Sequence, residues 1–239
     1  MTIAYDGTNY NGWQIQPKGT TIQQVVQNAL KTITGEDIKV LASGRTDAGV
    51  HAQGQVICFD TDSTIPPKNF YKALNVALPN DIRALDSEGV EKEFSPIKSA
   101  KKKTYKYTTY LSPTENPLRE RYALCISEKL DVNLMQIASQ LFIGEHDFKS
   151  FCSSKSGAKT TVRTIYDLSV EQRGDEITFT VTGNGFLYNM VRIIVGTLLK
   201  IGKGKMTENE LVEMINGGGR ALGGKTIPAK GLCLQKVEY

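Results

Sequence analysis

The segment Gly44–Ala52, GRTDAGVHA, gathers residue types suited to chemistry within a few positions. Asp47 sits in a loop read between two strands, with Gly44 and Gly49 close on either side. Glycine reaches backbone conformations that other residues resist, so such a loop can thrust one carboxylate into a cleft. Arg45, two residues away, is placed to hold a phosphate at the same point. An aspartate in a glycine-bearing loop also serves simply to cap a turn, and this segment by itself leaves both readings open.

Two further residues stand out by type and setting. Arg192 falls in the apolar stripe of a helix, among Met190, Val191, Ile193 and Ile194. Charged groups are rarely buried unpaired, so it should have a carboxylate partner unless it snorkels to solvent. Tyr105 belongs to a run of alternating tyrosines, Tyr105, Tyr107 and Tyr110, which reads either as strand core or as a surface for stacking bases. Gly219–Thr226, GRALGGKT, satisfies the phosphate-loop pattern GxxxxGK[ST], but that motif needs a strand before it and a helix after it. Here a helical pattern precedes it and Ile227–Pro228 follows, so a plain glycine-rich loop is the expectation.

The elements that must position these groups follow from periodicity. Met1–Tyr5 reads as a strand. Thr21 with Gln24 resembles a capping box ahead of Ile22, Val25, Val26, Ala29, Leu30 and Ile33, and Gly35 closes that helix. Strands are expected at Ile38–Ala42, Gln55–Phe59 and Ile82–Leu85, with a helix opening at Pro66 or Pro67. The order β-α-β-β-α-β matches the ferredoxin-like arrangement. Strands are expected again at Thr104–Leu111, Val162–Val170, Glu176–Thr182 and Gly231–Val237. Helices are expected through Leu134–Leu141, Phe186–Ile201 and Thr207–Asn216. The reading is an α+β fold of two ferredoxin-like halves with largely antiparallel sheet, divided as 1–97 and 98–239. The first half carries the Asp47 loop and the second completes a cleft between them.

Composition narrows the class. Of 239 residues 40% are apolar and 23% charged, as in a globular protein. No apolar run approaches the roughly 18 residues that cross a bilayer. No basic segment followed by an apolar one opens the chain, so the expectation is a cytoplasmic protein. Four separated cysteines and two histidines, His51 and His146, suggest neither a metal site nor a redox pair. The net charge of +4 is mild, but its lysines are clustered. Lys98, Lys101, Lys102, Lys103 and Lys106 interleave with the tyrosines. Lys155, Lys159 and Arg163 form a second group, and Lys200, Lys203 and Lys205 a third. Basic groups beside aromatics suit a nucleic-acid backbone with stacked bases, and also suit a solvated surface.

The GRTDAGVHA string resembles the signature of TruA-type tRNA pseudouridine synthases. YDGTNYNGWQ at Tyr5–Gln14, YKYTTY at Tyr105–Tyr110, GEHDFKSF at Gly144–Phe151 and GNGFLYNMVRII at Gly183–Ile194 are similar to that family's other blocks, in the same order. Met1 lies only four residues before Tyr5, whereas the family's first strand usually begins earlier. The resemblance implies an isomerase that converts uridines 38, 39 and 40 of the tRNA anticodon stem-loop to pseudouridine, works as a homodimer, and needs no cofactor, metal or membrane. It makes Asp47 the catalytic nucleophile and the partner of Arg192. It places Arg45 where the flipped base leaves its stack and Tyr105 against that base, and it adds Leu187 to the substrate-binding residues. A non-catalytic tRNA-binding protein or chaperone would share the basic clusters. A glycoside hydrolase would need a second acid, and none accompanies Asp47 in its loop, leaving only Asp6 as a distant alternative.

Overall fold

A computed structural model describes residues 1–153, 159–217 and 219–239, so Lys155 of the second basic group and Gly218, just before the glycine-rich segment, lie outside the described residues. In chain order the elements are β1 (Thr2–Tyr5), α1 (Ile22–Thr34), β2 (Leu41–Ala42), β3 (His51–Cys58), α2 (Phe70–Ala77), β4 (Ile82–Asp86), β5 (Lys102–Leu111) and β6 (Leu124–Ile126). They continue with α3 (Val132–Gln140), β7 (Gly144–Asp147), β8 (Val162–Arg173), β9 (Glu176–Gly183), α4 (Met190–Gly202), α5 (Glu208–Ile215) and β10 (Leu232–Glu238). The fold is α+β with mostly antiparallel strand pairing. The chain forms two compact units, Met1–Lys101 with Cys233–Tyr239, and Lys102–Leu232.

In the first unit β1 lies between β4 and β3, and β2 flanks β3, each pair antiparallel. This is the ferredoxin-like order for β-α-β-β-α-β. β3 is shared along one edge: β2 pairs with its Ile57–Cys58 end, and β10 runs parallel to its His51–Ala52 end. Helix α1 begins and ends as its sequence dictates. The Thr21 hydroxyl accepts from the Gln24 amide at 3.4 Å, and Gly35 closes the helix at φ +78 with its amide bonded to the Lys31 carbonyl. Ile22, Val26 and Leu30 are wholly buried on its inner face, with Ile3, Ile57, Leu74 and Ile82 also fully enclosed in this unit.

In the first unit two strands depart from the periodic reading by more than one residue. Ile38–Val40 is not strand, because α1 supplies its backbone partners: the Gln27 side chain accepts from the Val40 amide at 3.2 Å and Gln23 donates to the Val40 carbonyl at 3.0 Å. β3 starts at His51, four residues earlier than the alternation suggested, because β1 and β10 pair with that end.

In the second unit the order β5-β9-β8-β7 is antiparallel throughout, and β6 adds parallel to β5. The run β5-α3-β8-β9-α4, with β9 between β5 and β8, repeats the plan of β1-α1-β2-β3-α2, although no residue-level repeat betrays it. Helix α4 is buried on nearly every face, as expected of a helix inside a core. It begins at Met190 rather than Phe186, because Asn189 takes a left-handed conformation at φ 62 and breaks the turn before it. β6 and β7, three and four residues long, are too short to show a period.

Candidate active site

Asp47 lies in the connection from β2 to β3. Its carbonyl accepts from the Val50 amide at 3.1 Å, closing a four-residue turn with Gly49 at φ +77 in the third place. That position of a type II turn requires positive φ, which explains the glycine. Asp47 is half-buried and Arg45 is exposed.

The opening segment of the chain grips this loop. Trp13 donates its amide to the Thr46 carbonyl at 3.0 Å, and Gly49 donates to the Tyr10 carbonyl at 3.3 Å. A Cβ on Gly12 would meet the Thr46 carbonyl oxygen at 2.6 Å, and one on Gly7 would meet the Val50 carbonyl oxygen at 2.0 Å. The two motifs YDGTNYNGWQ and GRTDAGVHA are therefore halves of one packed object, with glycine where the backbones touch. Gly7 also donates its amide to Nδ1 of buried His51 at 3.0 Å. Tyr10 donates its hydroxyl to Asp81 at 2.7 Å, and burial pushes its phenol well above the usual range. Asp6 accepts from the amide and hydroxyl of Thr8, at 3.0 and 2.5 Å, and lies 3.2 Å from His51 Nδ1. Its carboxylate caps its own turn.

In the second unit Tyr105 stands on β5 opposite Val181 of β9. Only 9% of it is exposed. Its ring meets Phe186 edge-on at 5.3 Å between centroids, a favourable aromatic geometry. Strand alternation puts Lys103, Tyr105 and Tyr107 on one face, and Lys102 and Lys106 on the other. Lys103 is half-buried, and burial followed by the charge of Arg163 lowers its pKa. Lys102 remains exposed and reaches over the ring of Tyr166 at 5.4 Å. Leu187 is buried, with its amide directed at Met190 Sδ at 3.5 Å.

Arg192 is held on two sides within this unit. Its Nε donates to the Ile227 carbonyl at 2.7 Å, and one terminal nitrogen donates to Asn189 Oδ1, also at 2.7 Å. Asn189 in turn donates to the Ser153 hydroxyl at 2.9 Å. Arg192 is thus fixed by the residue that breaks the preceding turn.

The glycine-rich segment earns its glycines here rather than at a nucleotide. A Cβ on Gly224 would stand 2.0 Å from the Gly196 carbonyl oxygen, and one on Gly196 would stand 2.1 Å from that of Lys225. The segment lies flush on α4, with the Gly224 amide donating to the Thr197 hydroxyl at 3.1 Å. It then delivers the Ile227 carbonyl to Arg192 and the Pro228 carbonyl to the Tyr107 hydroxyl at 2.8 Å. Among the described residues, neither the strand before nor the helix after that a phosphate loop needs is present.

The third basic group is engaged internally. Lys203 and Lys205 both pair with Glu128, and Lys200 donates to the Leu222 carbonyl at 2.8 Å. The two lysines hold the Glu128 carboxyl down at about 2. By contrast Lys101, just before β5, and Lys102, its first residue, are exposed. Among the described residues, no group of three or more His, Cys, Asp or Glu side chains is arranged to hold a metal, and no helix is long and apolar enough to cross a membrane.

Sequence reasoning missed the supports of these residues. Gly7, Gly12, Asn189 and Gly224 act through backbone approach or a single hydrogen bond, and spacing along the chain does not reveal the neighbour that makes a glycine necessary.

Comparison with known proteins gives a consistent answer. The family model described as tRNA pseudouridine synthase matches residues 1–94 and 138–239. A tRNA pseudouridine synthase A of Brevibacillus brevis is 49% identical over 99% of this chain and 97% of its own length. A tRNA pseudouridine synthase A 2 of Clostridium perfringens is 48% identical over 100% of this chain and 98% of its own. That of Geotalea uraniireducens is 45% identical, also over 100% and 98%.

Proposed function

We infer the chemistry from membership: this chain belongs to the tRNA pseudouridine synthase family, and it is an isomerase that converts uridine in tRNA to pseudouridine. The reaction breaks the bond from uridine N1 to the ribose C1′, turns the base, and rejoins it through C5. The C5 proton leaves and N1 gains one, so atoms and electrons balance within the substrate. No oxidant, activated nucleotide or second substrate is consumed.

We propose that Asp47 is the nucleophile. The supporting observation is its setting: a carboxylate on a glycine-shaped turn that is braced by Gly7 and Gly12 through direct backbone approach. A rigid turn keeps a carboxylate at one place and angle, which covalent catalysis requires. A base inside a stem must leave its stack to be turned. Arg45, exposed beside Asp47, takes the vacated space and holds the backbone. Tyr105, braced edge-on by Phe186, presents a face for the displaced base. Leu187 and Arg192 complete the substrate-binding set, Arg192 as a guanidinium whose orientation Ile227 and Asn189 dictate.

The target in this reading is the anticodon stem-loop, at uridines 38, 39 and 40, and the working form is a homodimer in the cytoplasm. Exposed Lys101 and Lys102 supply affinity through phosphate contacts. Incubation with unmodified tRNA transcripts tests the reading: pseudouridine at those positions supports it, free uracil indicates hydrolysis, and binding without product indicates a non-catalytic RNA-binding protein. Sedimentation that finds a fully active monomer rules out the dimer.

A further inference from the structure

Gln55 stands within β3 with 0% of its surface exposed. An amide so enclosed is costly unless each of its polar atoms is bonded. Its Oε1 accepts from the Ser43 hydroxyl at 2.6 Å, and its Nε2 donates to the Gly44 carbonyl at 2.9 Å. The same nitrogen lies 3.5 Å from the Tyr5 hydroxyl, which is 2.8 Å from the Thr46 hydroxyl. Because a carbonyl only accepts, the Gly44 contact fixes which end of the amide is nitrogen. Burial pushes the Tyr5 phenol up to about 12, so it keeps its proton. Ser43, Gly44 and Thr46 are three of the four residues that lead into Asp47.

We propose that Gln55, acting with Tyr5, is a positioning residue for Asp47. This rests on the reading of Asp47 given above. The backbone of the first unit holds the far side of the turn through Gly7 against Val50 and the Tyr10 carbonyl on Gly49. The side-chain network holds the near side, from inside the sheet. The loop between β2 and β3 has no ladder hydrogen bonds of its own between Gly44 and Val50. Beside the network, the Ser43 amide donates to the Val56 carbonyl at 2.8 Å and the Trp13 amide to the Thr46 carbonyl at 3.0 Å. A core glutamine with a purely structural role would lower stability and leave chemistry intact in the folded protein. A positioning residue lowers the rate of the chemical step and leaves tRNA affinity alone.

The experiment compares the parent chain with Tyr5→Phe, Gln55→Met and Asp47→Asn on unmodified tRNA transcripts. It measures single-turnover pseudouridine formation at saturating enzyme, tRNA affinity by titration, and thermal unfolding. Tyr5→Phe removes one hydroxyl and Gln55→Met roughly preserves side-chain volume, so both can be assayed folded. The expected result is a rate about 10- to 100-fold below the parent for both variants, since misplacement by about 1 Å costs on the order of 100-fold. Affinity is expected to stay within about twofold, because it comes mainly from phosphate contacts. Parent-like rates in both variants, with Asp47→Asn inactive, overturn the positioning role and leave the Asp47 reading standing. Rate and affinity falling together, or lowered thermal stability with an undiminished rate, also overturn it. An Asp47→Asn protein that keeps turnover within about tenfold of the parent removes the Asp47 reading and this proposal with it.

Discussion

Gly12 rests against Thr46 so closely that a methyl group at position 12 would stand 2.6 Å from the Thr46 carbonyl oxygen. The same methyl would stand 3.0 Å from the Ala48 amide nitrogen, on the far side of Asp47. Gly12 also adopts φ +81, a conformation other residues resist. Gly12→Ala therefore combines strain of roughly 1–2 kcal/mol with a displacement of the Asp47 turn. Denaturant unfolding should show a loss of at least that size. Single-turnover pseudouridine formation should fall further than the fraction unfolded accounts for.

Asp47→Asn separates the nucleophile from the turn cap. Asn keeps the shape and can still cap, so a structural aspartate would lose about 1 kcal/mol or less and keep most activity. A nucleophile loses essentially all turnover, beyond the roughly 100- to 10,000-fold typical of a general acid or base alone. tRNA affinity should change little. A variant within about tenfold of the parent rate would make Asp47 structural.

Arg192→Met removes the donor from the Ile227 carbonyl and from Asn189 Oδ1. Leaving partly buried acceptors without it costs about 1–3 kcal/mol, and turnover should fall with it. Arg192→Lys keeps the charge but not the planar fork that reaches both acceptors, so it should recover part of each loss. Equal stability and activity in all three proteins would show that these bonds do not matter.

Lys101 and Lys102 are exposed, whereas Lys103 is half-buried beside Tyr105. Log tRNA affinity should fall linearly with log salt, and replacing Lys101 and Lys102 by Ala should flatten the slope by about 0.7 to 0.9 for each phosphate that is no longer neutralised. Replacing Lys203 and Lys205, which already share Glu128, should leave the slope nearly unchanged. The opposite ranking would put RNA against the wrong lysine group.

What the sequence determined by itself is what local physics controls. Thr21 and Gly35 bound helix α1 because a hydroxyl cap and a left-handed glycine act on their own few residues. Gly49 marks the turn after Asp47 for the same reason, and the ordered blocks from Tyr5 to Ile194 carry the family. Tertiary structure decided everything that depends on a neighbour distant in the chain. Val40 lost its place in a strand because two glutamines of α1 took its backbone bonds. Phe186–Asn189 stayed outside α4 because Asn189 turned left-handed, where its side chain meets both Ser153 and Arg192. GRALGGKT fits a phosphate-loop pattern letter by letter, yet its glycines answer to Gly196 on α4. Gln55 reads as one polar residue in a strand of mixed pattern, and only the fold points its amide at the residues before Asp47. Hydrogen-bond partners and backbone clearances are set by packing between segments far apart in sequence, and no periodicity along the chain encodes them.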